Sequence, residues 1–132
     1  MINRYCFIVV LFFMGIIWTN AQELEGLWLT TNGESIVQIY KTNHGLYQGK
    51  LIWTVDQSDE AKRYHGSAIL IDFTRINTTV FKGQVNDPEK QKAYNCTITI
   101  KNENALDLRG YIGIPLFGRT EYWTRVLDND NL

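Results

Sequence analysis

Residues Asp87 to Val126 read DPEKQKAYNCTITIKNENALDLRGYIGIPLFGRTEYWTRV, and this stretch decides the fold. It contains three short runs in which apolar and polar side chains alternate, and turn residues separate the runs. In the clearest run the apolar positions are Tyr94, Cys96, Ile98 and Ile100. A period of two is typical of β-strands that place one face on a core and the other in water.

Five more runs with this period precede the stretch, at 27–30, 35–41, 46–54, 67–74 and 79–85. The connections are mostly tight and carry Gly, Asn or Asp, whereas a helical period is hardly found. The sequence therefore predicts an all-β domain, an eight-stranded antiparallel up-and-down β-barrel, because closure removes both exposed sheet edges. A barrel of eight strands has an interior that side chains fill or that holds one small ligand.

The ends of the chain indicate its organisation. Residues 1–21 combine Arg4, an apolar run from Phe7 to Trp18 and a small residue at Ala21, which is the pattern of a secretory signal peptide. An uncleaved anchor is the alternative. We expect 1–21 to be removed, leaving 22–132 as a single domain without a membrane span, exported to the periplasm or beyond the cell.

Charge and cysteine content exclude some classes of function. Without Arg4 the remaining 111 residues (132 − 21) carry 12 basic and 14 acidic side chains, so no basic excess favours nucleic acid. Cys96 is then the single cysteine, and no disulfide can form within the chain. Its place on an apolar strand face favours a buried thiol over a reactive one.

Several strings in this chain resemble the bacterial domain-of-unknown-function family numbered 2147. They are the Gly26–Thr30 string GLWLT, the Asp87–Glu89 string DPE, LRGYIG from Leu108, and GRT followed by WTRV at the C-terminal end. The resemblance implies an exported calycin-like barrel, similar to lipocalins, without an established activity. It also implies that Trp28 on the first strand and Arg125 on the last pack together where the barrel closes. The 55–66 loop departs from the family's pattern, which tends to be longer there and rich in Asp, Asn and Pro.

Aromatic side chains scattered over the strands are the candidate ligand contacts. They are Tyr47, Trp53, Phe73, Tyr94 and Trp123, with Phe81 as a further member. If they face inward they line an apolar pocket with a few polar tips, as ligand sites usually do. The alternative is a filled core, because each ring occupies much space.

Other chemistries find little support in the residue pattern. The acids of the loops, Asp56, Asp59, Glu60, Asp87 and Glu89, lack the spacing of a calcium loop, and His44 and His65 lack a partner at zinc-ligand spacing. No serine lies in a nucleophile-elbow context. Asp72 and Arg109 are interpreted as partnered charges near the barrel mouth. We therefore expect no metal, no cofactor and no catalysis, but non-catalytic binding of a small apolar molecule, or alternatively a ligand-free envelope interaction or structural module.

Overall fold

The computed structural model describes residues 23–127, and the predicted signal peptide at 1–21 lies outside them. Eight antiparallel strands follow one another around a closed barrel, each paired with its neighbours in sequence. They are β1 (Gly26–Leu29), β2 (Ser35–Lys41), β3 (Tyr47–Thr54), β4 (Ala68–Arg75), β5 (Val80–Asp87), β6 (Lys92–Asn102), β7 (Ala105–Tyr111) and β8 (Gly118–Arg125). The predicted eight-stranded up-and-down barrel is confirmed, and each of the first five strands begins and ends within two residues of its predicted bounds.

Closure depends on a short contact between the first and last strands. Trp28 pairs with Arg125 and Leu29 pairs with Thr124. The hydroxyl of Thr31, just after β1, extends this seam by accepting from the Tyr122 backbone N–H at 3.0 Å and donating to its carbonyl at 3.1 Å. A side chain thus replaces ladder hydrogen bonds where β1 has already ended.

Bulges bend the sheet at β3 and β4. The pairing of β2 with β3 slips between Ile36 and Val37, and that of β4 with β5 slips between Ile71 and Thr74. At the second slip Asp72 adopts a left-handed conformation with φ of 53°. The Gln48 amide holds this residue in place, donating to its carboxylate and accepting from its backbone N–H.

The core fills one end of the barrel. The tightly buried side chains there include Phe73, Phe81, Ile98 and Leu106, and Tyr47 meets Phe81 edge-on with ring centroids 5.1 Å apart. Leu24 lies just before β1 and is fully buried in this cluster. It closes the end of the barrel at which β1 begins and β8 ends, which we call the closed end.

The 55–66 segment, expected to be an irregular loop, contains the short helix α1 (Asp59–Lys62). Ser58 caps it by accepting from the Ala61 backbone N–H at 3.2 Å. A single turn has too few residues to show a period of 3.6, which explains why the pattern did not indicate it. Among residues 23–127 no helix is long and apolar enough to cross a membrane.

Candidate ligand-binding cavity

A cavity of about 760 Å³ opens at the end of the barrel opposite Leu24, which we call the open end. The strands contribute its inner wall, while α1 and the turn between β5 and β6 stand at its mouth. This volume lies within the range of small-molecule pockets. The packed core therefore occupies the closed end, and the open end keeps space for a ligand.

The floor of the cavity is apolar. It is formed by Val37, Leu51, Ile69, Val85 and Trp123, which lie on β2, β3, β4, β5 and β8. Val37, Leu51 and Trp123 are buried, and Ile69 and Val85 pack against the core cluster. A ligand with an apolar body gains free energy by burying its surface against these side chains.

Trp123 carries an unused hydrogen-bond donor in this wall. Its side chain is 2% exposed, and its Nε1 has no hydrogen-bond partner among the residues that the structure describes. A buried donor without a partner costs about 1–3 kcal/mol, and buried indole N–H groups usually find an acceptor. By contrast, Trp28 Nε1 donates to the Leu24 carbonyl at 2.9 Å.

Carboxylates surround the cavity. The acidic residues that line it are Glu34, Asp56, Glu60, Asp87, Glu89 and Glu121. No lysine, arginine or histidine of the described chain lines it. Asp56 and Asp87 accept hydrogen bonds from backbone N–H groups in their own turns, and the bonds from Ser58 lower the pKa of Asp56.

Glu121 lines the cavity from β8, within the barrel wall itself. It pairs with Leu108, which is buried in the core, and lies two residues before Trp123, so alternation turns its side chain inward. Its carboxylate makes no hydrogen bond or ion pair with any described residue. Burial, the larger effect, and the negative charge of Glu121 together raise the pKa of the Cys96 thiol to about 12.

The hydroxyl of Thr54 at the mouth looks at first like an activated nucleophile. His65 Nε2 lies 3.0 Å from Thr54 Oγ1. However, this hydroxyl donates its one proton to the Asp56 carbonyl at 2.7 Å. His65 must then be the donor to Thr54, which makes the pair a structural link between β3 and the 55–66 segment.

Arg125 and Trp28 meet as the resemblance implies. The guanidinium carbon lies 4.3 Å from the indole centroid, within cation–π range. Its nitrogens donate to the carbonyls of Glu23, Glu25 and Glu103 at 2.7–2.8 Å. Gly26 is needed beside it, because a Cβ there would clash with Arg125 Nη1. This pair lies at the closed end, away from the cavity.

The model of a protein family described as "Uncharacterized protein conserved in bacteria (DUF2147)" matches residues 26–125. The chain belongs to this family. A solved structure described as "Protein HP1028 from the human pathogen Helicobacter pylori belongs to the lipocalin family" is similar, with a TM-score of 0.66 and 19% identity over 80% of this chain and 84% of that chain. At this identity the likeness shows a shared fold, so the DUF2147 chain is a lipocalin-like barrel. No curated protein matches it significantly.

Of the five aromatic side chains proposed for ligand contact, Trp123 alone lines the cavity of this DUF2147 barrel. Tyr47 and Phe73 are buried in the core of the closed end, as is Phe81. Alternation identifies residues that face inward, but it does not tell how far along the barrel axis they lie. That is why core and cavity residues look alike in the sequence.

Two of the five lie elsewhere. Tyr94 is on the inner side of β6 at the open end, where it is half-buried under Lys92, whose Nζ is 5.4 Å from the ring centroid. Trp53 does not face inward with Leu51. It pairs with Ile36, whereas Leu51 pairs with Val37 on the opposite face, because the bulge adds one residue between them.

Asp72 and Arg109 each have hydrogen-bond partners, as expected, but they do not contact each other and lie at different places in the barrel. Arg109 lies at the open end and donates to the Pro115 carbonyl at 2.8 and 3.1 Å and to Thr120 Oγ1 at 2.9 Å. It thereby holds the turn between β7 and β8. Asp72 belongs to the β4 bulge and bonds to Gln48, so neither charge is a cavity residue.

Proposed function

We propose that this protein binds a small molecule, without catalysis, in the cavity at the open end of its barrel. The observation that carries this proposal is the division of the barrel interior, with a packed closed end and an apolar-floored cavity of about 760 Å³ at the other. The lipocalin-like fold agrees with such a role.

Native mass spectrometry of the protein purified from its own host tests the proposal. We expect a co-purifying small molecule that is lost when Val85→Trp fills the cavity. Val80→Trp is the matched control, because Val80 lies on the same strand one residue before the inward-facing Phe81 and so faces outward. A stably folded Val85→Trp that keeps the ligand, or a wild-type protein without any bound molecule, would contradict the proposal.

A second candidate function is an interaction module, and one observation favours it. The turn between β7 and β8 exposes Ile112, Ile114 and Leu116 by 59%, 53% and 76%. Apolar side chains grouped at a turn suit contact with another protein. Replacing the three with Ser and comparing which envelope proteins cross-link to the wild type and to the variant distinguishes this role from ligand binding.

We further propose that the chain is exported, on the basis of the pattern in residues 1–21. Cell fractionation and N-terminal sequencing of the purified protein test this. We expect the mature chain to begin at Gln22 and to be found outside the cytoplasm. A protein that retains Met1 and stays in the cytoplasm would overturn it.

A further inference from the structure

We propose that the ligand of the open-end cavity is a small organic cation, an amine or quaternary ammonium with an apolar body. This inference rests on the proposed binding function and names its ligand class. It differs from the purely apolar ligand that the aromatic side chains indicated in the sequence. The charge of the wall is what distinguishes the two.

The first argument is the imbalance of charge around the cavity. Six of the chain's 14 acidic residues line it, and none of the basic residues that the structure describes does so. The chain as a whole is nearly balanced, with 13 lysines and arginines. A cleft walled by one sign of charge over a low-dielectric floor concentrates the opposite ion.

The second argument is that much of this charge is not neutralised by the protein. Glu34, Glu89 and Glu121 form no ion pair with a described residue. Glu60 meets Arg63 at 3.6 Å, but both side chains are largely exposed, so the pair is screened by water. Arg119 lies two residues before Glu121, is exposed, and makes no ion pair with it.

The third argument separates an organic cation from a metal ion. Within residues 23–127 no three His, Cys, Asp or Glu side chains come together closely enough to hold a metal. A hard cation such as calcium needs six to eight oxygen ligands at 2.3–2.6 Å. Carboxylates spread around a mouth attract a diffuse charge instead, as an alkylammonium group carries.

The fourth argument comes from the floor. Below the acids the cavity is lined by Val37, Leu51, Val85 and the aromatic Trp123. Indole rings attract cations, and the aliphatic side chains bury an apolar body. Glu121 stands two residues from Trp123 on the same inward face, so one ligand can meet both a carboxylate and an apolar wall. The same acids repel a carboxylate headgroup, which disfavours fatty acids.

Calorimetric titration with matched compounds tests the inference on protein purified from cells that express the full chain. Three apolar bodies, phenylethyl, hexyl and adamantyl, are each offered as an amine, an alcohol and a carboxylate at pH 7. We expect at least one amine to bind about tenfold more tightly than its alcohol, and the carboxylates to bind most weakly. The preference should shrink in 0.5 M salt because charges at the mouth are screened.

Glu121→Gln gives a sharper test, with Glu25→Gln as its matched control. Both remove one negative charge, but Glu25 is exposed at the closed end. We expect Glu121→Gln to weaken the amine about tenfold and leave the alcohol unchanged, and Glu25→Gln to change neither. Thermal unfolding of both variants verifies that they are folded.

The outcomes separate this inference from the function on which it rests. Alcohols or carboxylates that bind as tightly as the amines would overturn the cationic ligand and leave the binding function standing. Equal losses in Glu121→Gln and Glu25→Gln would do the same. Failure of all three amines to bind would overturn the cationic ligand, whereas the binding function is contradicted only if native mass spectrometry also finds no bound molecule.

Discussion

Arg125 does more than stack on Trp28, because its guanidinium joins three chain segments that are distant in sequence. It donates to carbonyls before β1 and to the turn between β6 and β7, while its ring contact secures the seam of the barrel. Burial lowers its pKa, and the charges of Glu103 and Glu23 oppose that effect. A side chain with a fixed fork of donors is required to reach all three carbonyls at once.

Arg125→Met should lower the free energy of unfolding by about 2–3 kcal/mol, because three charge-assisted hydrogen bonds and the cation–π contact are lost. Urea unfolding measures this change. Arg75→Met is the control, since Arg75 also lies over a ring, 4.6 Å from the Phe81 centroid, but donates only within its own turn. Equal effects of the two variants would contradict the joining role.

Burial suppresses the ionisation of the Cys96 thiol. The thiol is 2% exposed and its pKa is raised from 9.0 to about 12, mainly by burial and further by Glu121. The interpretation of Cys96 as a small buried apolar residue agrees with this. A thiol that stays protonated at neutral pH is a poor nucleophile.

This pKa predicts a loss of stability in alkali. Below pH 9 the thiol is protonated in both states, and between about pH 9 and 12 the unfolded chain releases its proton first. The stability advantage of the wild type over Cys96→Ala should therefore fall across that window, by up to about 1.4 kcal/mol per pH unit. Urea unfolding of both proteins at pH 8 to 10.5 measures it, and a constant difference would be inconsistent with a buried protonated thiol.

At the scale of the elements, the bulges set the shape of the wall. The bulge of β4 brings the Ile71 carbonyl and the Phe73 ring against Gly83 of β5, where a Cβ would lie 2.7 Å from both. On β7, Gly110 has only Val85 Cγ1 at 3.6 Å and the Asn95 carbonyl oxygen at 4.0 Å from such a Cβ. Both glycines pair with Cys96, so they occupy equivalent places on either side of β6.

Gly83→Ala should destabilise the fold by about 1–3 kcal/mol, since the backbone carbonyl and the packed ring have little room to retreat. Gly110→Ala is the matched control and should change stability by less than about 1 kcal/mol. Thermal or urea unfolding compares the two. If Gly83→Ala is as stable as Gly110→Ala, the close approach at the bulge does not constrain the sequence.

At the scale of the whole molecule, the two ends of the barrel differ in kind. Leu24 and the Arg125–Trp28 pair cover the closed end, while carboxylates and α1 stand around the open one. Packing at one end supplies the stability that lets the other keep a cavity. The position of Leu24 outside the sheet makes this division testable.

Leu24→Ala should cost about 2–5 kcal/mol, because the side chain is fully buried and its loss leaves a void beside Trp28. Leu27→Ala is the comparison, since Leu27 is half-buried and lies next to Trp28 on the opposite face, and it should cost about 1 kcal/mol or less. Urea unfolding provides both values. A tolerated Leu24→Ala would show that the closed end does not depend on this residue.

What the sequence determined by itself is the wall of the barrel. Strand positions, the eight-strand meander and the Trp28–Arg125 pair were predicted, because alternation is a local signal and these motifs are distinctive. The inward position of Glu121 was also open to prediction, since Glu121, Trp123 and Arg125 keep one parity along β8.

Only the tertiary structure decided which inward residues line a cavity and what charge surrounds it. The six carboxylates come from four separate segments of the chain, and each looks in isolation like a solvated acid of a turn or strand. Trp53 lies on the outer face because of the bulge in β3. Tyr47 and Phe73 lie in the core because of their position along the barrel axis. Both depend on register between strands, which arises when the barrel closes and which no single strand encodes.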